Sequence, residues 1–174
     1  QPYLDGIDEE AQKIGAVNTI KIDENGNLIG FNTDVYGFRK SLEPLLEATH
    51  KKALIFGTGG ASKAVAFALE QLQIEFLFFS RTPNSIYEIS YNEIDESTME
   101  NHQILINCTP LGTFPEVDKC PDIPYQFIGK HHLLYDLIYN PSVTSFLRKG
   151  TENGATTKNG LEMLQLQAEK SWEI

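Results

Sequence analysis

Near the middle of the chain the sequence reads Ala53-Leu54-Ile55-Phe56-Gly57-Thr58-Gly59-Gly60-Ala61-Ser62. The first four residues are continuously apolar, which is typical of a strand buried on both faces of a parallel sheet. The glycines allow a tight turn and the close approach of a phosphate, and the free N–H groups of a helix beginning there point at such an anion. Ser62 replaces the third glycine of a strict fingerprint, but its small side chain still permits close helix–strand packing. Taken alone, the motif also fits a plain tight turn.

Strands and helices alternate beyond this turn. Strands are predicted at 53–56, 74–79, 104–108, 133–137 and 154–157, and helices at 61–73, 142–149 and from 159 onward. We expect Ser142 to cap the helix at 142–149 and Gly150 to end it, whereas the polar stretch 84–100 indicates no definite element. The alternation predicts an α/β fold with a doubly wound parallel sheet.

The end of the second predicted strand indicates which dinucleotide the turn binds. NAD-binding proteins place an Asp or Glu about 20 residues after the first glycine, where it holds the ribose 2′-hydroxyl. This chain has Ser80-Arg81-Thr82 there. A carboxylate would repel a 2′-phosphate and a guanidinium would bind it, so the sequence predicts NADP rather than NAD. An exposed loop arginine is the alternative interpretation of Arg81. Residues 107–109 end the third strand at the ligand-binding edge of such sheets, which favours contact with the cofactor.

The first part of the chain does not follow this alternation. Residues 16–22 and 28–31 predict a hairpin, because the Asn25-Gly26 pair between them tolerates positive φ. A helix is predicted over 35–46, with Thr33 or Asp34 as its N-cap. We interpret the hairpin as the remnant of a second lobe whose other strands lie outside this chain.

Composition restricts the function further. The chain has 174 residues and a formal net charge of −10, which disfavours a nucleic-acid-binding protein. No apolar run approaches the roughly 18 residues of a membrane span. Two cysteines, Cys108 and Cys120, make no disulfide framework, so we expect reduced thiols and a cytoplasmic protein. His131 and His132 are adjacent and make a poor ligand pair, so no metal site is expected. Gln1 is not a natural initiator, so we expect the chain to lack its true N-terminus.

Short motifs follow one another in a fixed order. They are Gly15-Ala16-Val17-Asn18-Thr19, Gly30-Phe31-Asn32-Thr33-Asp34, the glycine turn, Ser80-Arg81-Thr82, Asn107-Cys108-Thr109-Pro110-Leu111-Gly112, Asp136-Leu137-Ile138-Tyr139-Asn140-Pro141 with Thr144, Phe146 and Leu147, and Asn159-Gly160-Leu161-Glu162-Met163-Leu164-Gln165-Leu166-Gln167-Ala168. Over nearly the whole chain, this series resembles the shikimate dehydrogenase family.

The resemblance implies roles for individual residues. The implied substrate-binding residues are Asn18, Asp34, Tyr139 and Gln167. The implied cofactor-binding residues are Gly57, Thr58, Gly59, Gly60, Ala61, Ser80, Arg81, Thr82, Asn107, Cys108, Thr109, Leu137 and Gly160. Asp34 is the implied partner of a catalytic lysine that, in the family, lies upstream of Gln1. Asn18 as a turn residue and Asp34 as a simple N-cap are the alternatives.

The expected activity is NADP-dependent reduction of 3-dehydroshikimate to shikimate in aromatic amino-acid biosynthesis, with this chain impaired because the lysine is absent. Two alternatives remain: a quinate/shikimate dehydrogenase using NAD, and a non-catalytic dinucleotide-binding module. The expected domains are residues 1–34 (remnant of the substrate domain), 35–157 (NADP-binding Rossmann domain) and 158–174 (a helix returning to the substrate domain). A homodimer is compatible with the sequence, and neither a nucleic acid nor a membrane is an expected partner.

Overall fold

A small three-stranded lobe opens the chain in the computed structural model, which describes residues 3–80, 88–90 and 93–174. Its elements are β1 (Gly6–Ile7), α1 (Glu9–Ile14), β2 (Thr19–Ile22) and β3 (Leu28–Phe31). The strands lie in the order β1-β3-β2, with β1 parallel and β2 antiparallel to β3. The turn of the hairpin is held by Asp23, whose Oδ1 accepts hydrogen bonds of 2.8 Å from the N–H groups of Asn25 and Asn27. The predicted hairpin is therefore present. The expectation that its other strands all lie outside this chain was wrong, because β1 of the same chain pairs with β3.

Among the described residues, the main sheet contains six parallel strands. They are β4 (Lys52–Phe56), β5 (Glu75–Ser80), β6 (Glu88–Ser90), β7 (Ile104–Asn107), β8 (Leu133–Asp136) and β9 (Thr156–Lys158). Their spatial order is β6-β5-β4-β7-β8-β9. Counted within this sheet, the order is 3-2-1-4-5-6, which is the arrangement of doubly wound dinucleotide-binding sheets. The predicted fold class is confirmed.

Helices cover both faces of the main sheet. They are α2 (Asp34–Leu42, continued by a 3-10 turn over Glu43–Leu45), α3 (Gly60–Gln71), α4 (Glu96–Asn101), α5 (Ser145–Glu152) and α6 (Leu161–Glu173). On one face, Phe38 of α2, Val65 of α3 and Met163 of α6 share a core with Ile55. Alternate residues of β4, such as Leu54, point to the other face, which α4 and α5 cover. Burial on both faces explains why residues 53–56 are all apolar.

One predicted helix start was correct in position and another was wrong: Thr33 is the N-cap of α2, as predicted, whereas Ser142 does not cap α5. The side chain that caps α2 belongs to Asn32, whose Oδ1 accepts hydrogen bonds from the N–H groups of Asp34 (3.0 Å) and Val35 (3.4 Å). Thr33 is at the N-cap position but makes no capping bond with its side chain. The helix predicted at 142–149 instead begins at Ser145 and runs through Gly150 to Glu152.

The shift of α5 has a clear cause. Thr144 rather than Ser142 is its N-cap, because the Thr144 hydroxyl accepts a hydrogen bond of 3.3 Å from the N–H of Leu147. Gly150 lies inside α5, at a point where the helix packs so closely on β8 that a side chain would clash. A Cβ at position 150 would lie 2.5 Å from Leu134 Cδ2. The residue is therefore a packing glycine and not a helix stop. The stretch 84–100, left unassigned by sequence, contains β6 and all of α4 except its last residue, Asn101.

Candidate functional site

The glycine turn lies at the point where the strand order of the main sheet reverses, between β4 and β7. Gly57 has a φ of +106°, which other residues rarely adopt, and a Cβ there would lie 3.3 Å from the backbone of Cys108. Gly59 and Gly60 differ from Gly57, since a Cβ at either position would meet no atom within 4 Å. The turn therefore needs a glycine at position 57 for its backbone conformation. At Gly59 and Gly60 the lack of a side chain instead leaves open space.

The helix that follows this turn begins without a side-chain cap. Gly59 is the N-cap of α3 with φ −79° and ψ −171°, and no described side chain accepts a hydrogen bond from the first turn. The Ser62 hydroxyl points backward and donates to the Gly59 carbonyl at 2.7 Å. A bare helix N-terminus beside an open, glycine-lined space suits a phosphate, because N–H groups and the helix dipole both favour an anion. The residues present therefore fit the pyrophosphate of a dinucleotide.

The ends of β7 and β8 form the neighbouring wall. Asn107 is fully buried, and its Nδ2 donates to Asp136 Oδ1 at 3.0 Å. Its Oδ1 accepts from the N–H (3.0 Å) and the hydroxyl (2.6 Å) of Thr109. The Thr144 hydroxyl donates to Asp136 Oδ2 at 2.6 Å. The Asn107 side chain is thus used inside the protein, where it holds the backbone of residues 108 and 109 beside Gly57.

Asp136 is the buried centre of this network. Its carboxylate also accepts a hydrogen bond of 3.1 Å from the N–H of Ile138. Burial raises the pKa of Asp136 to about 6, although the hydrogen bonds from Thr144, Ile138 and Asn107 act in the opposite direction. Burial also raises the pKa of the Cys108 thiol, which favours a packing role over a nucleophilic one.

The remaining predicted cofactor residues divide into two groups. Leu137 and Gly160 touch, since a Cβ at Gly160 would lie 2.0 Å from the Leu137 carbonyl oxygen. Ser80 ends β5 at the same sheet edge as Gly57. Arg81 and Thr82, on which the preference for NADP was based, lie outside the described residues.

A second, polar pocket lies where β2, α2 and α6 meet. Its lining residues are Asn18, Thr19, Asp34, Gln167, Ala168, Ser171 and Trp172, and its volume is about 620 Å³. The Asn18 amide donates to Gln167 Oε1 at 3.2 Å, and its Oδ1 accepts from the Thr33 N–H at 2.9 Å. Three of the four predicted substrate-binding residues are therefore neighbours. Tyr139, the fourth, is exposed and is not among the residues that line this pocket.

The ionisation of Asp34 is tuned by its position. Burial raises the pKa of its carboxyl group, and a hydrogen bond with Asn18 opposes that effect in part. A carboxylate with a raised pKa is better suited to accept and share a proton near neutral pH. Among the described lining residues of the pocket there is no lysine.

Sequence reasoning missed the hydroxyl groups that support this pocket. Ser171 Oγ lies 2.8 Å from Thr19 Oγ1 and 3.0 Å from Thr33 Oγ1. Ser171 follows Gln167 by one helical turn, so the spacing along α6 was a signal that could have identified it. Trp172, which is 93% exposed, stands on the rim. The sequence could also have identified Asp136 as a structural residue, since it is a carboxylate at the end of an otherwise apolar strand.

Two absences hold for the described part of the chain. No group of three or more His, Cys, Asp or Glu side chains there could hold a metal ion. None of the helices described above is long and apolar enough to cross a bilayer.

A sheet of this strand order, with a glycine turn at its reversal, defines the doubly wound dinucleotide-binding class of α/β proteins. No family model matches the sequence. The chain is 44% identical to the NADP(+) shikimate dehydrogenase of Caldanaerobacter subterraneus subsp. tengcongensis over 95% of its own length and 64% of that relative.

Solved structures that resemble this chain belong to the same group of enzymes. Shikimate 5-dehydrogenase from Thermus thermophilus, in complex with NADP(H) and shikimate, has a TM-score of 0.84 and 32% identity, over 99% of this chain and 66% of that one. Quinate dehydrogenase from Corynebacterium glutamicum, in complex with NAD, has a TM-score of 0.87 and 26% identity, over 99% and 66%. The chain belongs to the shikimate dehydrogenase family and spans just under two thirds of the length of the relatives it matches.

Proposed function

We propose that this chain carries the dinucleotide site and part of the substrate site of an NADP-dependent shikimate dehydrogenase. The reaction is the reversible reduction of 3-dehydroshikimate to shikimate, a step of aromatic amino-acid biosynthesis. The observation that carries this proposal is the uncapped N-terminus of α3 behind a glycine turn with open space at Gly59 and Gly60. Its relatives are NADP(+) shikimate dehydrogenases, which supports NADP as the cofactor.

The cofactor is held mainly by backbone in this proposal. The N–H groups that follow Gly59 bind the pyrophosphate, and Ser80 with Arg81 and Thr82 binds the ribose 2′-phosphate. Cys108, Thr109, Leu137 and Gly160 form the wall beside the nicotinamide. Asn107 positions that wall from inside rather than touching the cofactor, because its side chain is completely buried. When bound, NADP supplies the acceptor or donor of the hydride.

The polar pocket orients the substrate. Amide groups of Asn18 and Gln167 and the carboxylate of Asp34 are the types of group that fix a polyhydroxylated ring by hydrogen bonds. Asp34 also shares the proton of the reacting hydroxyl, because its raised pKa keeps it poised to do so. Tyr139 is proposed to approach the substrate from the loop after β8. The proposed domains remain 1–34, 35–157 and 158–174, with the pocket between the first and the last.

The 174-residue chain by itself is proposed to bind NADP but to turn over slowly or not at all. Alcohol oxidation needs a group that removes the hydroxyl proton while hydride leaves. Asp34 alone would have to do so, since no lysine occurs among the described residues that line the pocket. Robust shikimate-dependent reduction of NADP by this chain alone would contradict the proposal.

The full-length natural protein provides the direct test. Its activity is measured with shikimate and with quinate, each with NADP and with NAD, because the likeness to an NAD-bound quinate dehydrogenase makes that pair the second candidate. We expect the largest kcat/KM with shikimate and NADP. Asp34→Asn should lower it by about 100-fold or more, and the control Asp122→Asn, at an exposed carboxylate, should not. No turnover with any of the four pairs, despite NADP binding, would indicate a non-catalytic module instead.

We also propose that the protein associates into a homodimer.

A further inference from the structure

Three hydroxyl groups meet beside the polar pocket. Ser171 Oγ on α6 lies 2.8 Å from Thr19 Oγ1 and 3.0 Å from Thr33 Oγ1. It also donates a hydrogen bond of 2.9 Å to the Gln167 carbonyl, one turn earlier in the same helix. A serine hydroxyl has one donor and two acceptor positions, and these three partners use all of them. Ser171 is therefore engaged within the protein rather than available to bind a substrate directly.

The three hydroxyl groups belong to the three elements that carry the pocket residues. Thr19 follows Asn18 directly, at the start of β2. Thr33 precedes Asp34 directly, at the start of α2. Helix α6 supplies the third hydroxyl, one turn after its own pocket residue. The junction at Ser171 Oγ therefore ties together the elements whose relative placement sets the distances between the pocket groups.

The two helices at this junction are already packed tightly on each other. A Cβ at Gly37 of α2 would lie 2.6 Å from the Met163 carbonyl oxygen and 3.1 Å from Gln167 Cβ, both on α6. Close packing therefore fixes Gln167 relative to α2 without help from the hydroxyl groups. The strand β2 differs, because three of its four residues are exposed. Burial contributes little to holding this strand against the helices, so its polar contacts matter more.

The place of β2 matters because Asn18 links the other two pocket groups. Its Oδ1 accepts a hydrogen bond of 2.9 Å from the Thr33 N–H, which can only donate, so its Nδ2 end is directed to the pocket. That end donates to Gln167 Oε1 at 3.2 Å and also hydrogen-bonds the Asp34 carboxylate. Because its Oε1 is used in this way, Gln167 presents amide N–H groups to a substrate. A shift of Asn18 would release both neighbours.

We propose that Ser171 is a positioning residue for the substrate. Its hydroxyl holds β2 against α2 and α6, and so sets the place of Asn18 relative to the other two pocket groups. The direct bond between Asn18 and Gln167 is exposed, whereas the shorter contacts of Ser171 with the two threonines are partly buried. A hydrogen bond that exchanges freely with water contributes little to stability. This inference rests on the proposed function, because it concerns the same substrate site.

The test uses the full-length natural protein and measures the binding of shikimate and of NADP by calorimetry, together with steady-state kinetics. In Ser171→Ala the dissociation constant of shikimate should rise about tenfold, because a loosened Asn18 is misplaced for binding. The value of kcat/KM for shikimate should fall by a similar factor. The dissociation constant of NADP should stay within about twofold, because the glycine turn takes no part in the junction.

Two further variants serve as controls. Ser171→Thr keeps the hydroxyl, so its dissociation constant for shikimate should stay within about threefold of that of the unmodified protein. Ser97→Ala makes the same change at an exposed serine of α4 and should alter neither dissociation constant. Urea unfolding of each variant shows that the fold is retained.

A double-mutant cycle shows whether Ser171 acts through its neighbour on β2. Thr19→Val removes the other half of the 2.8 Å contact while it keeps the shape of the side chain. The variant with both substitutions should bind shikimate within about threefold of the weaker single variant, because both changes break the same contact. Two independent losses would multiply instead, and that result would contradict the proposal.

The outcomes separate this inference from the proposed function. Unchanged shikimate binding in Ser171→Ala overturns the positioning role and leaves the proposed function intact. An equal weakening of shikimate and NADP binding also overturns it, since the substitution would then act on the whole structure. The same holds if Ser171→Thr binds shikimate as weakly as Ser171→Ala. A full-length protein that binds NADP but not shikimate overturns the proposed function together with this inference.

Discussion

The buried carboxylate of Asp136 should make stability depend on pH in a direction opposite to that of most aspartates. Asp136 has no exposed surface and accepts hydrogen bonds from Asn107, Ile138 and Thr144. Its pKa in the folded protein is about 6, above the ordinary value of 3.8. The folded state therefore holds this proton more tightly than the unfolded state. Replacement by asparagine removes the titration while it keeps the shape of the side chain.

The magnitude follows from these two pKa values. Below the unfolded pKa both states are protonated, and Asp136 contributes no pH dependence. As pH rises from about 4 to about 6 the unfolded state ionises first, so the free energy of unfolding falls by up to about 1.4 kcal/mol per pH unit. Above about pH 7 both states are ionised, and the difference stays constant. Relative to Asp136→Asn, the unmodified protein should lose roughly 2.5 kcal/mol between pH 4 and pH 7.

Urea unfolding of both proteins at half-unit steps from pH 4 to pH 7.5 measures this difference. Subtraction of the two curves cancels every other titrating group that the substitution leaves unchanged. A difference that does not vary with pH would refute the reasoning. A difference of the opposite sign would also refute the reasoning. It would mean that the three hydrogen-bond donors outweigh burial and hold the pKa of Asp136 below its ordinary value.

Three further predictions concern other parts of the site. Thr144→Val should lower the free energy of unfolding by about 2 kcal/mol, since it removes both a helix cap and a donor to a buried carboxylate; a loss below about 0.5 kcal/mol would be incompatible with that role. Gly160→Ala should be strongly destabilising because its Cβ would lie 2.0 Å from the Leu137 carbonyl oxygen, whereas Gly59→Ala should melt like the unmodified protein. Equal melting temperatures for Gly160→Ala and Gly59→Ala would count against the close approach of Gly160 to the Leu137 carbonyl. Trp172 is the single tryptophan of this chain and lines the polar pocket, so shikimate should change its fluorescence in a saturable manner. An unresponsive signal would place the substrate elsewhere.

The sheet was accessible from sequence because its strands are buried on both faces. Continuous apolar runs at 53–56, 104–106 and 133–135 leave few alternatives to a parallel sheet. The glycine turn was equally clear, since strand, glycines and helix follow within a few residues. The short strands at the sheet edges could not be predicted from sequence. β6 has three residues in a polar stretch, and β1 has only two residues. Their pairing depends on a neighbouring strand and not on their own composition.

Capping and positioning groups were harder to identify for a different reason. Ser142, Thr144 and Ser145 are all plausible N-caps by residue type, and only the bond between Thr144 and the N–H of Leu147 distinguishes them. Asn107 resembled a cofactor ligand because it lies at the correct sheet edge, yet its amide is used by Asp136 and Thr109. Local sequence identifies the groups that can form hydrogen bonds. The partner that each group binds is decided by tertiary packing.

Titration of NADP into Gly59→Asp tests the central claim most directly. Gly59 has N-cap dihedral angles and open space at its Cβ, and aspartate is a favoured N-cap, so the variant should be as stable as the unmodified protein or more stable. The same carboxylate would stand where the pyrophosphate binds, so calorimetry should show NADP affinity reduced by about 100-fold or more, with a smaller loss in the uncharged control Gly59→Asn. Unchanged NADP affinity in a folded Gly59→Asp protein would contradict the assignment of this turn as the dinucleotide site.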